Sequence, residues 1–250
     1  MASSQRLVFP SAAIDWLAER CPASLPVLTL ASSATLARKL AARGFPVIHA
    51  ATDAATAIRA QGTKGVTPIV AHPEALPIAS CTLGAVIAHQ SLHRAAPGLA
   101  LPEIARVLKP DGWFCVSHFE RDDSIPWVRK LIDLMRSFDP QAMSNADART
   151  IEAWTSSKYY PSGETKSFRV WVPISQAQML EMVAGQSAVA ALPDAQREKA
   201  LDDARHIYSS AASGAELRLP YQLKCWRAQV DQSELTTPVR ISDDGLVISL

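Results

Sequence analysis

The stretch Leu101–His118, LPEIARVLKPDGWFCVSH, constrains this chain more than any other. Apolar residues at helical spacing lead up to Lys109-Pro110-Asp111-Gly112, a turn signal that stops a helix, and a compact apolar run follows at once. A helix that ends in a tight turn and releases directly into a buried strand is a building step of an α/β sheet.

The rest of the first half repeats that step. Leu25–Leu30, Val47–Ala50, Val66–Ala71, Leu83–Ala88 and Trp113–Phe119 are short apolar runs of strand length. Helices are expected at Ala34–Arg43, with Ser32 or Ser33 as cap and Gly44 as stop, at Ala54–Ala60 and at Leu99–Leu108. Ile14, Trp16, Leu17 and Ala18 suggest a further short helix before Cys21-Pro22. Alternation of this kind predicts a doubly wound, mostly parallel sheet with right-handed crossovers.

The second half has another texture. Helices are expected at Ile125–Phe138, capped by Ser124, at Ala146–Thr155, at Ser175–Val183 and at Asp194–Ser209, with strands at Phe168–Val172 and Tyr221–Val230. The insertion between those strands, about residues 175–213, reads as a helical cover. We therefore expect one domain over residues 1–230 and a tail, 231–250, in which two alternating runs flank Asp244-Gly245 as a hairpin.

The chain has 250 residues, nearly half of them apolar, enough for one substantial core. A net charge of +1 with dispersed basic residues argues against nucleic acid and anionic membrane as partners. No run reaches the roughly 18 apolar residues of a membrane span. Cys21, Cys81, Cys115 and Cys225 are far apart, without a CxxC or a Cys/His pair at metal-ligand spacing. No metal site is expected, and a reduced, cytoplasmic setting fits.

The pieces HPEALP, QSLH, the Leu101–Val116 block and SAVAALPDAQREKALDDARHIY followed by LPYQ stand in an order similar to that of the class I S-adenosylmethionine (SAM) methyltransferases, in their small-molecule, ubiquinone- and menaquinone-type branch. The resemblance runs from about Leu25 to Val230. It implies a seven-stranded Rossmann-like sheet and SAM as cofactor. The family's glycine-rich turn after the first strand falls here on Ala31, Ser32, Ser33 and Ala34, where each Cβ takes up space and the serines compete for the helix amides. The ribose-binding acid at the end of the second strand falls on Ala51. Asp53, two residues on, reads as a helix cap instead. Losing that carboxylate costs on the order of 3 kcal/mol, about a hundredfold in affinity.

Other family positions persist. Glu74 and Ala75 match the loop that the family sets against adenine, and Gln90, with His89 and His93, lies just past the fourth strand, where open α/β sheets bind ligands. His93 and His118 are the candidate catalytic residues, His118 with Glu120 as a general base. The competing reading of Glu120 to Asp123 is a solvated turn leading to the Ser124 cap. Trp154, Tyr159, Tyr160 and Trp171 either line an apolar pocket or belong to the core, Trp171 above all to the core.

Two functions remain open. One is an active methyltransferase for a small molecule with a weakened or altered SAM site. The other, favoured by the lost contacts, is a non-catalytic binding or partner subunit, with a small-molecule ligand, a protein partner or a second copy as its counterpart. NAD chemistry lacks the same glycine turn and acid, and a serine hydrolase lacks its G-x-S-x-G elbow.

Overall fold

The structure is a computed structural model, and it describes residues 8–140, 154, 156–212, 216–236, 241–242 and 245–246. In chain order the elements are α1 (Ser11–Ala18), β1 (Val27–Ala31), α2 (Thr35–Ala41), β2 (Val47–Ala51), α3 (Ala54–Ala60), β3 (Val66–Val70), β4 (Leu83–His89), a 3₁₀ turn (Leu92–Arg94), α4 (Pro97–Val107) and β5 (Leu108–Arg121). They continue with α5 (Pro126–Phe138), β6 (Gly163–Ile174), α6 (Gln176–Ala184), α7 (Ser187–Ala190), α8 (Asp194–Ala212), β7 (Leu217–Gln229), α9 (Ser233–Thr236), β8 (Ile241–Ser242) and β9 (Gly245–Leu246).

Seven strands form one sheet in the order β3-β2-β1-β4-β5-β7-β6. β1 runs parallel to both β2 and β4, with Leu30 opposite Ala50 on one side and Ala88 on the other. β3 adds in parallel beyond β2. β7 returns antiparallel to β5: the Val230 amide donates to the Gly112 carbonyl and the Asp122 amide to Pro220, so one strand's numbering falls as the other's rises. This is the sheet that the alternating pattern predicts, and β8 and β9 pair antiparallel as the expected hairpin.

The chain divides into two compact units. One comprises Asp15–Val116, Thr150–Thr165 and Trp226–Leu250, and its core gathers Leu28, Leu30, Val86, Leu101, Ile104, Leu108 and Phe114. α4 starts with Pro97 at its first position and buries Ala100, Leu101, Ile104, Ala105 and Val107 on one face; each large side chain contributes about 1.5–3 kcal/mol by leaving water. Phe114 stands among Tyr160, Trp226 and Trp154 at centroid distances of 4.9, 5.9 and 6.5 Å. The Lys109–Gly112 segment, expected as a turn before the strand, lies inside β5 as a sharp bend: Asp111 has φ +64°, and a Cβ on Gly112 would lie 2.8 Å from the Lys109 carbonyl oxygen.

The other unit comprises Met1–Ile14, Ser117–Arg149 and Lys166–Cys225. α5 buries Val128, Leu131, Ile132 and Met135 at helical spacing against residues of α6, α7, α8 and β7. α6 begins with a full capping box between Ser175 and Gln178.

Several expectations are corrected. β6 extends back to Gly163 because its first residues are exposed and polar, so no hydrophobic alternation marks them. Trp171 is 45% exposed beside Arg169 instead of buried in the core. Ser124 does not cap α5, whose N-cap is Ile125; its hydroxyl donates to Asp122 at 2.5 Å. The helix expected at Ala146–Thr155 lies outside the described residues, except for Trp154, which is buried.

His49 sits fully buried on β2, its Nδ1 3.0 Å from the Thr29 hydroxyl, and its Nε2 has no partner among the described residues. Burial, and then the Arg38 charge, hold its pKa below 6.5. Below pH 6.5 the unfolded chain therefore binds a proton that the folded chain resists, so stability falls as pH drops toward the folded-state pKa and levels off beneath it. Melting curves between pH 7.5 and 5 should show this loss in the wild type and a shallower one in His49→Leu.

Candidate functional site

The carboxyl ends of β1, β2 and β4 converge where the strand order reverses, since β2 and β3 lie on one side of β1 and β4 on the other. Such switch points leave a crevice outside the sheet edge. Here it is a cleft of about 290 Å³. Leu30, Ala31, Ala50, Ala71 and Pro73 form its apolar part, and Ser32, Thr52, Gln90, Ser91 and His93 its polar part. The Ser91 hydroxyl donates to the Leu30 carbonyl at 2.8 Å and so ties the exit of β4 to the end of β1. Gln90 turns the chain there with φ +47°, a left-handed conformation that costs a side-chain-bearing residue about 1–2 kcal/mol.

Four expected site residues, Ala31, Ser32, Gln90 and His93, come together on this cleft. Ser33, Ala51, Asp53, Glu74 and Ala75 are not among the residues that line it. Ala51 is 1% exposed, and its neighbours Ala50 and Thr52 face the cleft instead. Thr52 and Ser91 were not expected. Each directly follows a residue that was, so their signal is position one past Ala51 and Gln90.

The turn before α2 differs from the self-capped one expected. α2 begins at Thr35, which places Ala34, not a serine, at the N-cap; its methyl group cannot accept a hydrogen bond, and no side chain caps the helix. Ser33 instead donates to the Thr35 hydroxyl at 3.4 Å. The turn also avoids the strain that glycine would relieve: among the described residues, Cys81, Gln90 and Asp111 are the non-glycine residues at positive φ, and Ala34 has φ −75°.

The carboxylates nearest in sequence to the cleft are engaged elsewhere. Asp53 caps α3: its Oδ1 accepts from the Thr56 amide and its Oδ2 from the Thr56 hydroxyl, both at 2.8 Å, and the amide bond foremost holds its pKa below the usual range. Glu74 Oε1 accepts from the Ala96 amide at 2.8 Å, just before α4. Glu103 accepts from the Leu76 amide at 2.7 Å and binds Arg106 through both oxygens. Arg106 reaches on to the Leu76 and Ile78 carbonyls and the Ser80 hydroxyl. This clamp fixes the loop that follows Ala71 and Pro73 in the cleft wall.

In the other unit, His118 Nε2 lies 2.8 Å from Glu120 Oε1, the pair expected there. His118 is 6% exposed, and its Nδ1 is buried without a partner among the described residues. Asp122 follows, buried, and accepts from Ser124, Gln222 and Arg169; the Ser124 hydroxyl is the main reason its pKa is lowered. Among the described residues no group of His, Cys, Asp and Glu is arranged to hold a metal ion.

A methyltransferase domain profile matches residues 31–116, which contain β2 to β4, α2 to α4 and most of the residues that line the cleft. The chain is 29% identical over 228 residues to an uncharacterized methyltransferase of Mycobacterium tuberculosis, with 88% of each chain covered, and equally so to its Mycobacterium bovis counterpart. A protein described as a type II methyltransferase, from Anaeromyxobacter dehalogenans, superposes with a TM-score of 0.65 at 21% identity, covering 89% of this chain and 97% of its own. An Anabaena variabilis protein described as a methyltransferase from an antibiotic biosynthesis pathway gives 0.58 at 15% identity over 89% and 99%. Residues 31–116 match the methyltransferase domain family, and the chain has the fold of the class I methyltransferases.

For a methyltransferase of this class the cleft stands at the expected sheet edge and its turn is open to a ligand. Its residues do not match the family's grip on SAM: among the described residues no carboxylate lines the cleft, Ala51 is buried where the resemblance places the acid, and Asp53 caps α3. The Glu103–Arg106 clamp predicts a loop-specific effect. In Arg106→Met, amide hydrogen exchange at residues 74–80 should rise severalfold while the β1 and β4 amides keep their protection.

Proposed function

We propose that this methyltransferase-family chain is a non-catalytic binding or partner protein that has kept the fold and given up the methyl donor. The observation that carries the reading is the absence of a carboxylate among the described residues that line the cleft. Methyl transfer from a sulfonium depends mainly on holding the donor in line with its acceptor, so an enzyme that cannot hold SAM loses the reaction whatever bases it carries. His93 and His118 then act as binding or structural groups and not as catalysts. A protein partner or a second copy of the chain would be the natural counterpart of such a subunit. Four cysteines outside any disulfide suit a reducing compartment such as the cytoplasm, and no helix among the described residues is long and apolar enough to cross a membrane.

One observation favours a second reading, an active small-molecule methyltransferase that holds SAM in an altered pose. The serines of the turn leave the start of α2 uncapped and the cleft open. Calorimetric titration separates the two. The non-catalytic reading expects no SAM or S-adenosylhomocysteine binding tighter than about 1 mM and a gain of tenfold or more in Ala51→Asp or Thr52→Asp. Micromolar binding of SAM by the wild type would favour the active enzyme instead.

A further inference from the structure

We propose that a second groove, at the amino ends of β2 and β3, is a docking site for an acidic segment of a protein partner. From Arg20 to Pro73 the chain carries Arg20, Arg38, Lys39, Arg43, Arg59 and Lys64 against Asp53 alone, while its whole net charge is +1, so the remainder is acidic on balance. The groove, of about 640 Å³, opens within that basic stretch. Arg38 comes to it from α2, Phe45 and Pro46 from the turn that follows, and Lys64 and Gly65 from the turn before β3; no carboxylate lines it among the described residues. It lies at the opposite end of β2 from the cleft, so the proposal stands whether or not the chain holds SAM.

The two cations are exposed and carry no visible structural task. Among the described residues the Arg38 guanidinium reaches only the Thr35 hydroxyl, at 3.4 Å, and neither it nor Lys64 pairs with a carboxylate, whereas Arg43 is held by Asp15 at 2.6 Å. Nor do they answer the carbonyls at the end of α2. Those of Arg38, Lys39, Leu40 and Ala41 accept in turn from the Ala42 amide, the Arg43 side chain, the Arg43 and Phe45 amides and the Gly44 amide. The groove itself is fixed by backbone: Gly65 has φ +77°, a Cβ on it would stand 3.2 Å from that of Ala41, and its carbonyl accepts from the Val47 amide at 3.1 Å. Glycine thus lets the Lys64 turn close against α2. Each exposed ion pair adds little alone, so affinity depends on both cations and the apolar Phe45 and Pro46 surface acting together. A free oxyanion would leave that surface bare, and a nucleic-acid strand, which binds through a row of phosphate contacts, meets two cations and then a chain of acidic balance. A short segment with carboxylates on either side of an apolar residue uses all of the groove.

Fluorescence anisotropy on the full chain tests this with a short labelled peptide of glutamates around a central leucine and phenylalanine, set against its counterpart with glutamine for glutamate. The acidic peptide is expected to bind about tenfold more tightly than the glutamine peptide, and to weaken about tenfold in the double variant Arg38→Glu, Lys64→Glu. It should keep its affinity in Arg136→Glu, a charge reversal on α5, which does not line the groove. Amide shifts on binding should concentrate at residues 38–46 and 63–65. Lys64→Glu alone keeps the assignment testable if the double variant fails to fold. No binding of the acidic peptide up to about 1 mM, equal binding of the glutamine peptide, or unchanged affinity in the groove variants overturns the site. Displacement of the peptide by inorganic phosphate at constant ionic strength, or tighter binding of single-stranded DNA, overturns the acidic-segment assignment in favour of a small oxyanion or a nucleic acid. Dimerisation that the double variant abolishes overturns it in favour of a second copy. None of these outcomes bears on SAM binding, which the titration of the cleft decides separately.

Discussion

The parallel seating of β1 between β2 and β4 is the constraint on which the candidate site depends. It brings Leu30, Ala50 and Ala88 into one row, so the three chain exits after them leave the sheet side by side. The exits of β1 and β4 lead away on opposite sides of the reversal, toward α2 and α4, and cannot close over the edge, which is why a crevice exists whatever residues line it. Ser91 then fastens the third exit to the first through the Leu30 carbonyl. The cleft is a consequence of topology before it is a consequence of side chains.

That order of causes makes the scaffold independent of any cofactor grip. The strands and α4 are held by buried apolar surface, and the loop after Pro73 by Glu103 and Arg106, none of which requires a ligand. The acid at the end of β2, by contrast, would serve only the ligand. Ala51 places no charge at that buried position and so asks nothing of the fold. Asp53 cannot substitute for it, because its oxygens already satisfy Thr56 at the start of α3 and releasing them would expose that helix end.

The fold is legible in the sequence wherever burial on both faces leaves an apolar run, as in β1, β2, β4 and the buried part of β5. α3 is read to the residue because Asp53 is a good cap and Gln61-Gly62 a clear stop. Legibility fails where a strand lies at the edge: the first residues of β6 are exposed, and Trp171 carries an aromatic side chain on a face that packing does not cover. It fails again by single residues. Ser33 is one position short of capping α2, and Ser124 is drawn to Asp122, because a local pattern shows which side chains can cap and not which position the backbone makes the cap.

The same limit governs the site. The sequence points to the strand ends, and hence to Ala31, Ser32, Gln90 and His93, but strand periodicity does not say which of two consecutive residues at a strand end turns toward the crevice. Thus Thr52, not Ala51, faces it. A carboxylate at position 51 in the present backbone would start from a buried Cβ, and one at position 52 from a side chain already on the cleft. Position 52 is therefore where a carboxylate would meet the ligand space.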